Sequence, residues 1–173
     1  MWSFVYVKAR RLRKAKSPPP KAGTVWTWTA LDVESKLIVA YLLSEERNEN
    51  CAIDLMLDLA ERLEERPKVM TDALLSYQDA VMWVFGRHVQ HRIGKGNSYV
   101  ERQNLTMRMG MRRFTRKSNG FSKRFERHLD MLALYFLHYN FCRIHGSIRC
   151  SPAMAAGVDS KLRDIRWLAS LVP

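Results

Sequence analysis

The sequence contains no apolar run near the roughly 20 residues that a bilayer-spanning helix requires, so a soluble protein is expected. Nor is a secretory leader expected from its opening residues. Arg10, Arg11, Arg13 and Lys14 follow the first apolar run instead of preceding it, and the expected address is the cytoplasm. Cysteine is scarce: Cys51, Cys142 and Cys150 are an odd number at spacings that suit neither a zinc site nor a disulfide framework, which predicts free thiols. No internal repeat is present, and 173 residues are enough for one domain with a core but few for two.

Acidic residues are also in deficit. Against 29 Lys and Arg there are 17 Asp and Glu, a formal net charge of +12, which points to a polyanionic partner such as nucleic acid. The signs are segregated. Residues 8–21 hold seven basic side chains and no acidic one, and residues 101–127 hold nine basic against two acidic, whereas residues 45–66 hold eight acidic against three basic. Such blocks suit one face turned to a phosphate backbone and another turned to water; a purely solvated surface is the plainer alternative.

Along the chain, "WSFVYV" alternates and is rich in β-formers, predicting a strand over about 2–7. The basic, proline-containing "KARRLRKAKSPPPKAG" reads as a loop. "TVWTWTALDV" and "SKLIVAYLLS" read as the second and third strands, with "DVES" as the turn between them. The period then changes: Ile53, Met56, Leu57, Ala60 and Leu63 recur at helical spacing after an N-cap at Asn48 or Asn50. "KVMTD" reads as a fourth strand, "ALLSYQDAVMWVF" as a second helix and "RHVQHRI" as a fifth strand. Further helices are expected from about Ser98 to Arg116 and from Phe121 to about Phe141. The order βββαβαβαα predicts an α/β, RNase H-like arrangement: a mixed sheet with its first three strands antiparallel, flanked by helices.

Enzymes of that fold gather carboxylates from a few elements around divalent ions, because hard Mg²⁺ or Mn²⁺ favours oxygen ligands. An Asp ending a strand and a Glu on a later helix are therefore the residues to seek. Asp72, ending "KVMTD", and Glu101, in "SYVERQNLTMRM", fit those roles. On a continuous helix, Val100, Met107, Met111 and Phe114 would form one stripe, with Glu101 about 100° away and nearly in line with Arg108 and Arg112. The plainer readings are a surface carboxylate near a helix N-terminus for Glu101 and a helix cap for Asp72.

The stretches "WTWTALDVESKLIVAYLLSEER", "YVERQNLTMRMGMRRFTR" and "HYNFCRIHGSIRCSPAMAAGV" resemble bacterial insertion-sequence transposases of the IS-one type, within the DDE integrase superfamily. The resemblance runs from Trp2 to about Val158. It implies that Asp72 is the second catalytic aspartate and Glu101 the catalytic glutamate, that both are metal ligands for Mg²⁺ or Mn²⁺, and that the partner is DNA. The implied reaction is hydrolysis at a transposon end followed by attack of the freed 3′ hydroxyl on target DNA, carried out by a homo-oligomer. Backbone contacts are expected from Arg102, Arg108, Arg112, Arg113 and Arg116.

In that family the first aspartate belongs to an Asp-Glu pair directly before a "WSFV" strand, and here Met1 stands at that boundary. The resemblance therefore implies an N-terminally truncated copy missing its first metal ligand. It also implies the loss of a zinc-binding or helix-turn-helix segment that reads transposon ends. Asp32 falls in the turn after the second strand. Residues 1–145 are expected to form the core and 146–173 a tail packed on or beside it. Two functions follow: a transposase core that cleaves and joins DNA, or a catalytically inactive remnant that only binds it. His88 and His91 stand three apart as a metal pair would, but a strand would point them to opposite faces; His138 and His145 read as packing or phosphate-contacting residues, and Trp26 and Trp28 as core, with a stacking platform for bases as the alternative.

Overall fold

Trp2–Val5 (β1), Gly23–Leu31 (β2) and Ile38–Ser44 (β3) form an antiparallel sheet in the order β1-β2-β3 in the computed structural model, which describes residues 1–94, 98–115 and 119–171. The pairing runs Trp2 to Trp26 and Trp28 to Leu42, with a bulge where Ala30 and Leu31 pass Ala40 and Ile38. The β2–β3 turn is closed locally, as "DVES" predicts. The Ser35 N–H donates to the Asp32 carboxylate at 2.8 Å, and the Ser35 hydroxyl bonds the same oxygen. Burial works to raise the Asp32 pKa, but these hydrogen bonds outweigh it and hold the group below its ordinary value. Asp32 is thus occupied by turn chemistry.

Both faces of this sheet are covered. Val5, Val25, Ile38 and Leu43 point to one side, where they pack with Met107, Leu132 and Phe136 from Ser98–Gly110 (α3) and Phe125–Leu137 (α4). Trp28 and Ala40 point to the other, against Leu55, Met56, Val81 and Phe85 from Glu49–Glu61 (α1) and Leu75–Phe85 (α2). The alternation of strand side chains sends neighbouring residues into opposite cores. Each fully buried side chain of this size contributes about 1.5–3 kcal/mol, against about 0–1 kcal/mol for an exposed ion pair. Burial therefore holds the helix layers in place.

Lys68–Thr71 (β4) and Gln90–Ile93 (β5) pair in parallel, joined through α2. The strands expected to extend the first sheet form a separate two-stranded sheet instead. Val69 links them to the rest through the α1–α2 core. The fold is thus mixed α/β, with a three-stranded antiparallel sheet and flanking helices.

Three local expectations need correction. The segment read as a loop contains a 3-10 helix over Ala9–Lys14, and its Leu12 would stand 3.2 Å from a Cβ built on Gly23, whose φ is +121°. A side chain at 23 would be both crowded and strained. The helix expected over 98–116 ends at Gly110, where glycine is a poor helix former. Met111 is extended and a 3-10 turn follows at Arg112–Phe114, so Arg112 is not aligned with Glu101 by helical periodicity. The helix expected over 121–141 runs from Phe125 to Leu137 and ends in a π-turn, His138–Cys142.

Two short helices follow, Pro152–Ala155 (α5) and Ile165–Ser170 (α6). The Arg163 N–H donates to the Phe141 carbonyl at 3.0 Å, and Trp167 packs on Phe141 with ring centroids 5.4 Å apart. The three cysteines are free thiols, as their spacing predicts. No helix among the described residues is long and apolar enough to cross a membrane.

Candidate carboxylate site and nucleic-acid interface

Asp72 stands where β4 gives way to the approach to α2. Its Oδ1 accepts the Leu74 N–H at 3.1 Å, which organises that turn, and its Oδ2 accepts Arg47 Nη2 at 3.0 Å. Arg47 comes from the link between β3 and α1, directly before the N-cap Asn48, and its guanidinium lies 5.2 Å from the centre of the Trp26 ring. Tyr77 of α2 meets Trp28 edge-on at 5.6 Å. Burial raises the Tyr77 phenol far above its ordinary value, and the Asp72 charge adds to that shift. Beside Asp72, the Thr71 hydroxyl and His91 Nε2 are 2.8 Å apart, and burial lowers the His91 pKa. His91 is thereby tied to β4, whereas His88 is exposed.

Glu101 lies in the first turn of α3 and is exposed, where the helix dipole favours a negative charge. The helix start is tied to the β2–β3 turn by Lys36, whose Nζ sits 4.3 Å from the centre of the Tyr99 ring. On the inner side Gln103 is only 4% exposed, and its Nε2 has no hydrogen-bond partner among the described residues.

Asp72 and Glu101 thus supply two carboxylates on separate elements, one of them already bonded to an arginine. Among the described residues no three His, Cys, Asp or Glu side chains form a group that could hold a metal ion. The donors among the described residues do not complete the Mg²⁺ or Mn²⁺ site that the motif resemblance implies.

Of the arginines expected to meet a phosphate backbone, Arg102 and Arg112 are exposed and Arg108 is half-buried. None of the three forms an ion pair among the described residues, whose recorded pairs involve Arg47, Arg62, Arg127 and Arg163. Arg113 is different. Its Nη1 donates to the Ser122 hydroxyl at 2.7 Å, inside the protein. Arg116 lies outside the described residues. His138 is exposed, and His145 is half-buried, edge-on to Tyr139 at 6.4 Å and 3.0 Å from the Ser147 hydroxyl.

Sequence reasoning missed the group that anchors Arg113. His128 Nδ1 is 2.7 Å from Ser122 Oγ and its Nε2 is 3.2 Å from Ser3 Oγ, which joins α4 to β1 and to the basic segment. Burial, reinforced by the Arg113 charge, lowers the His128 pKa to about 4. The available signal was position: Phe125, His128 and Leu132 recur at i, i+3 and i+7, which sets a polar ring on the apolar stripe of α4.

No curated protein matches the chain. A family model described as IS1 transposase matches residues 1–142, a span that holds β1 through the π-turn and includes Asp72, Glu101 and Arg102, Arg108, Arg112, Arg113 and Arg116. That is most of the sequence, and the chain belongs to the IS1 transposase family.

Proposed function

We propose that the chain acts in DNA transposition as a DDE-type transposase core of RNase H-like fold, with Asp72 and Glu101 as two of its catalytic carboxylates. The family match over residues 1–142 carries this reading. In it, residues 1–145 are the core and 146–173 a tail beside it, working in the cytoplasm as a homo-oligomer. DNA is hydrolysed at a transposon end, and the freed 3′ hydroxyl attacks target DNA. Reactions of this class draw on Mg²⁺ or Mn²⁺ to activate the attacking oxygen and stabilise the leaving one. Arg102, Arg108 and Arg112, which lack acidic partners among the described residues, together with Arg116, would neutralise backbone phosphates.

A second reading is favoured by the occupation of Asp72 by Arg47 and by the lack of a third ligand among the described residues. In that reading the chain binds DNA without cutting it. A strand-transfer assay on an end-bearing duplex with Mg²⁺ or Mn²⁺ separates the two. Turnover lost in both Asp72→Ala and Glu101→Ala supports the first; salt-sensitive DNA binding without turnover supports the second. Binding that barely responds to salt would count against both.

A further inference from the structure

β3 is the outer strand of the three-stranded sheet, and a groove of about 540 Å³ opens beside it between α1 and α4. Its lining is aromatic and apolar on the α4 side. Tyr41 and Phe136 pack there with ring centroids 4.7 Å apart, and Leu129 is 40% exposed. On the α1 side the lining is acidic: Asp58 is bonded to Arg62, whereas Asp54 is exposed and has no ion pair among those recorded for the described residues. Over its whole length α1 carries four acidic side chains and no basic one. In a chain of net charge +12, that helix is where a second copy meets attraction in place of repulsion.

The connection from β1 to β2 has the opposite character. Residues 8–21 hold seven basic side chains and no acidic one. The connection ends in a turn that the Ala22 N–H closes on the Pro19 carbonyl at 3.3 Å, with Lys21 at φ +61°. Lys16, Pro18, Pro20 and Lys21 are exposed on it. The Tyr6 hydroxyl donates to the Lys16 carbonyl at 3.1 Å, and Pro18, Pro19 and Pro20 fix their own φ angles, so little freedom is left to lose on binding.

We propose that this proline-containing turn of a second copy docks into the groove between α1 and α4. Aromatic-lined grooves accept proline-containing segments, and the acidic side of this one faces the flanking lysines. The proposal rests on the homo-oligomer reading above and names its interface. The chain's own turn cannot fill the groove. From Gly23 to Trp28, the partner of Leu42 at the near end of the β3 lining, β2 advances about 17 Å at roughly 3.4 Å per residue. Pro19 reaches at most about 14 Å from Gly23, even if the turn were pulled straight. Loop and groove are different surfaces, so the contact is head-to-tail.

Sedimentation velocity of the full chain, freed of nucleic acid and run over a concentration series at low and high salt, tests this without requiring turnover. The parent is expected to associate, and to do so more weakly as salt rises. The groove variant Leu129→Arg and the loop variant K16E/K21E should each weaken association by about 10-fold or more, because each sets like charges against one another. K16R/K21R, which keeps the charge, should stay near the parent. Mixed in equal amounts, the groove and loop variants retain one intact loop and one intact groove between them, and they should pair with near-parental affinity. Thermal unfolding of each variant establishes that it is folded. Association in both variants equal to the parent's would overturn the docking and leave the homo-oligomer reading standing, as would variants that lose association and fail to pair when mixed. A parent that stays a single protomer at every concentration would overturn the docking and the homo-oligomer reading of the free chain together.

Discussion

His128 Nδ1 and Ser122 Oγ meet at 2.7 Å in the interior, where the two residues are 1% and 2% exposed. The neutral imidazole suits this place, because one ring nitrogen donates and the other accepts, while the second nitrogen reaches Ser3. Protonation would put a charge beside Arg113 in a dry pocket. With the folded pKa at about 4 and an unfolded value near 6.5, the unfolded chain takes up the proton first as pH falls. The contribution of neutral His128 is full above about pH 6.5 and is lost progressively down to about pH 4. The expected loss is up to about 3 kcal/mol from this residue. Urea unfolding between pH 4 and 7 should show a steep fall in the parent and a shallower one in His128→Gln; equal slopes would refute the assignment.

Asn140 closes the outer edge of β3 as a strand would. Its Oδ1 accepts the Ile38 N–H at 3.0 Å, and its Nδ2 donates to the Ile38 carbonyl at 2.9 Å. Asn140→Ala leaves both backbone groups unpaired in a buried setting, which costs about 1–3 kcal/mol for each such group left without a partner. Chemical denaturation should show that loss, and Asn140→Asp should keep only the bond to the N–H and fall between the two.

Leu132 is fully buried among Val5, Phe114 and Phe136, whereas Leu134, two residues along the same helix, is exposed. Leu132→Ala should cost about 2–5 kcal/mol through lost transfer energy and a residual cavity. Leu134→Ala should change stability by about 0.5 kcal/mol or less. Similar losses at the two positions would show that α4 presents a different face to the sheet.

Those contrasts mark what the sequence could disclose. The period-2 alternation of β2 and β3 and the 3.6-residue pattern of α1 are local, and so is the bond from Ser35 to Asp32; each could be read from a few neighbouring residues. The Ile38–Asn140 pairing joins residues 102 positions apart, and the Ser3–His128 contact joins residues 125 apart. No periodicity encodes which distant polar groups will meet once the sheet is covered. Arg47 was hidden differently. It lies within the acidic block of residues 45–66, where a basic residue reads as one charge on a solvated face, and only the placement of β4 brings it to Asp72. The end of α3 at Gly110 was legible in principle, but the apolar spacing of Met107, Met111 and Phe114 concealed it. All three reach one core even though the α-helix does not continue through them.

The arginines divide into two kinds, and DNA binding should expose the division. Arg102, Arg108 and Arg112 have no acidic partner among the described residues, so replacing them with Gln removes charge without breaking a recorded ion pair. If each neutralises one phosphate, each substitution lowers the slope of log affinity against log salt by about 0.9, and the triple variant by nearly three times that. Unfolding free energies should stay within about 0.5 kcal/mol per substitution. Arg113→Gln should differ, because it removes the donor to Ser122 and the charge beside His128. Loss of that hydrogen bond costs about 1–3 kcal/mol, and because the His128 pKa rises towards its ordinary value once the Arg113 charge is gone, the fall in stability between pH 6.5 and 4 should become shallower. Fluorescence anisotropy on a duplex across a salt series, with unfolding measured on the same samples, separates phosphate contact from internal support. A triple variant with the parent's salt slope would remove these three arginines from the DNA interface and leave the basic segment at residues 8–21 as the surface to test next.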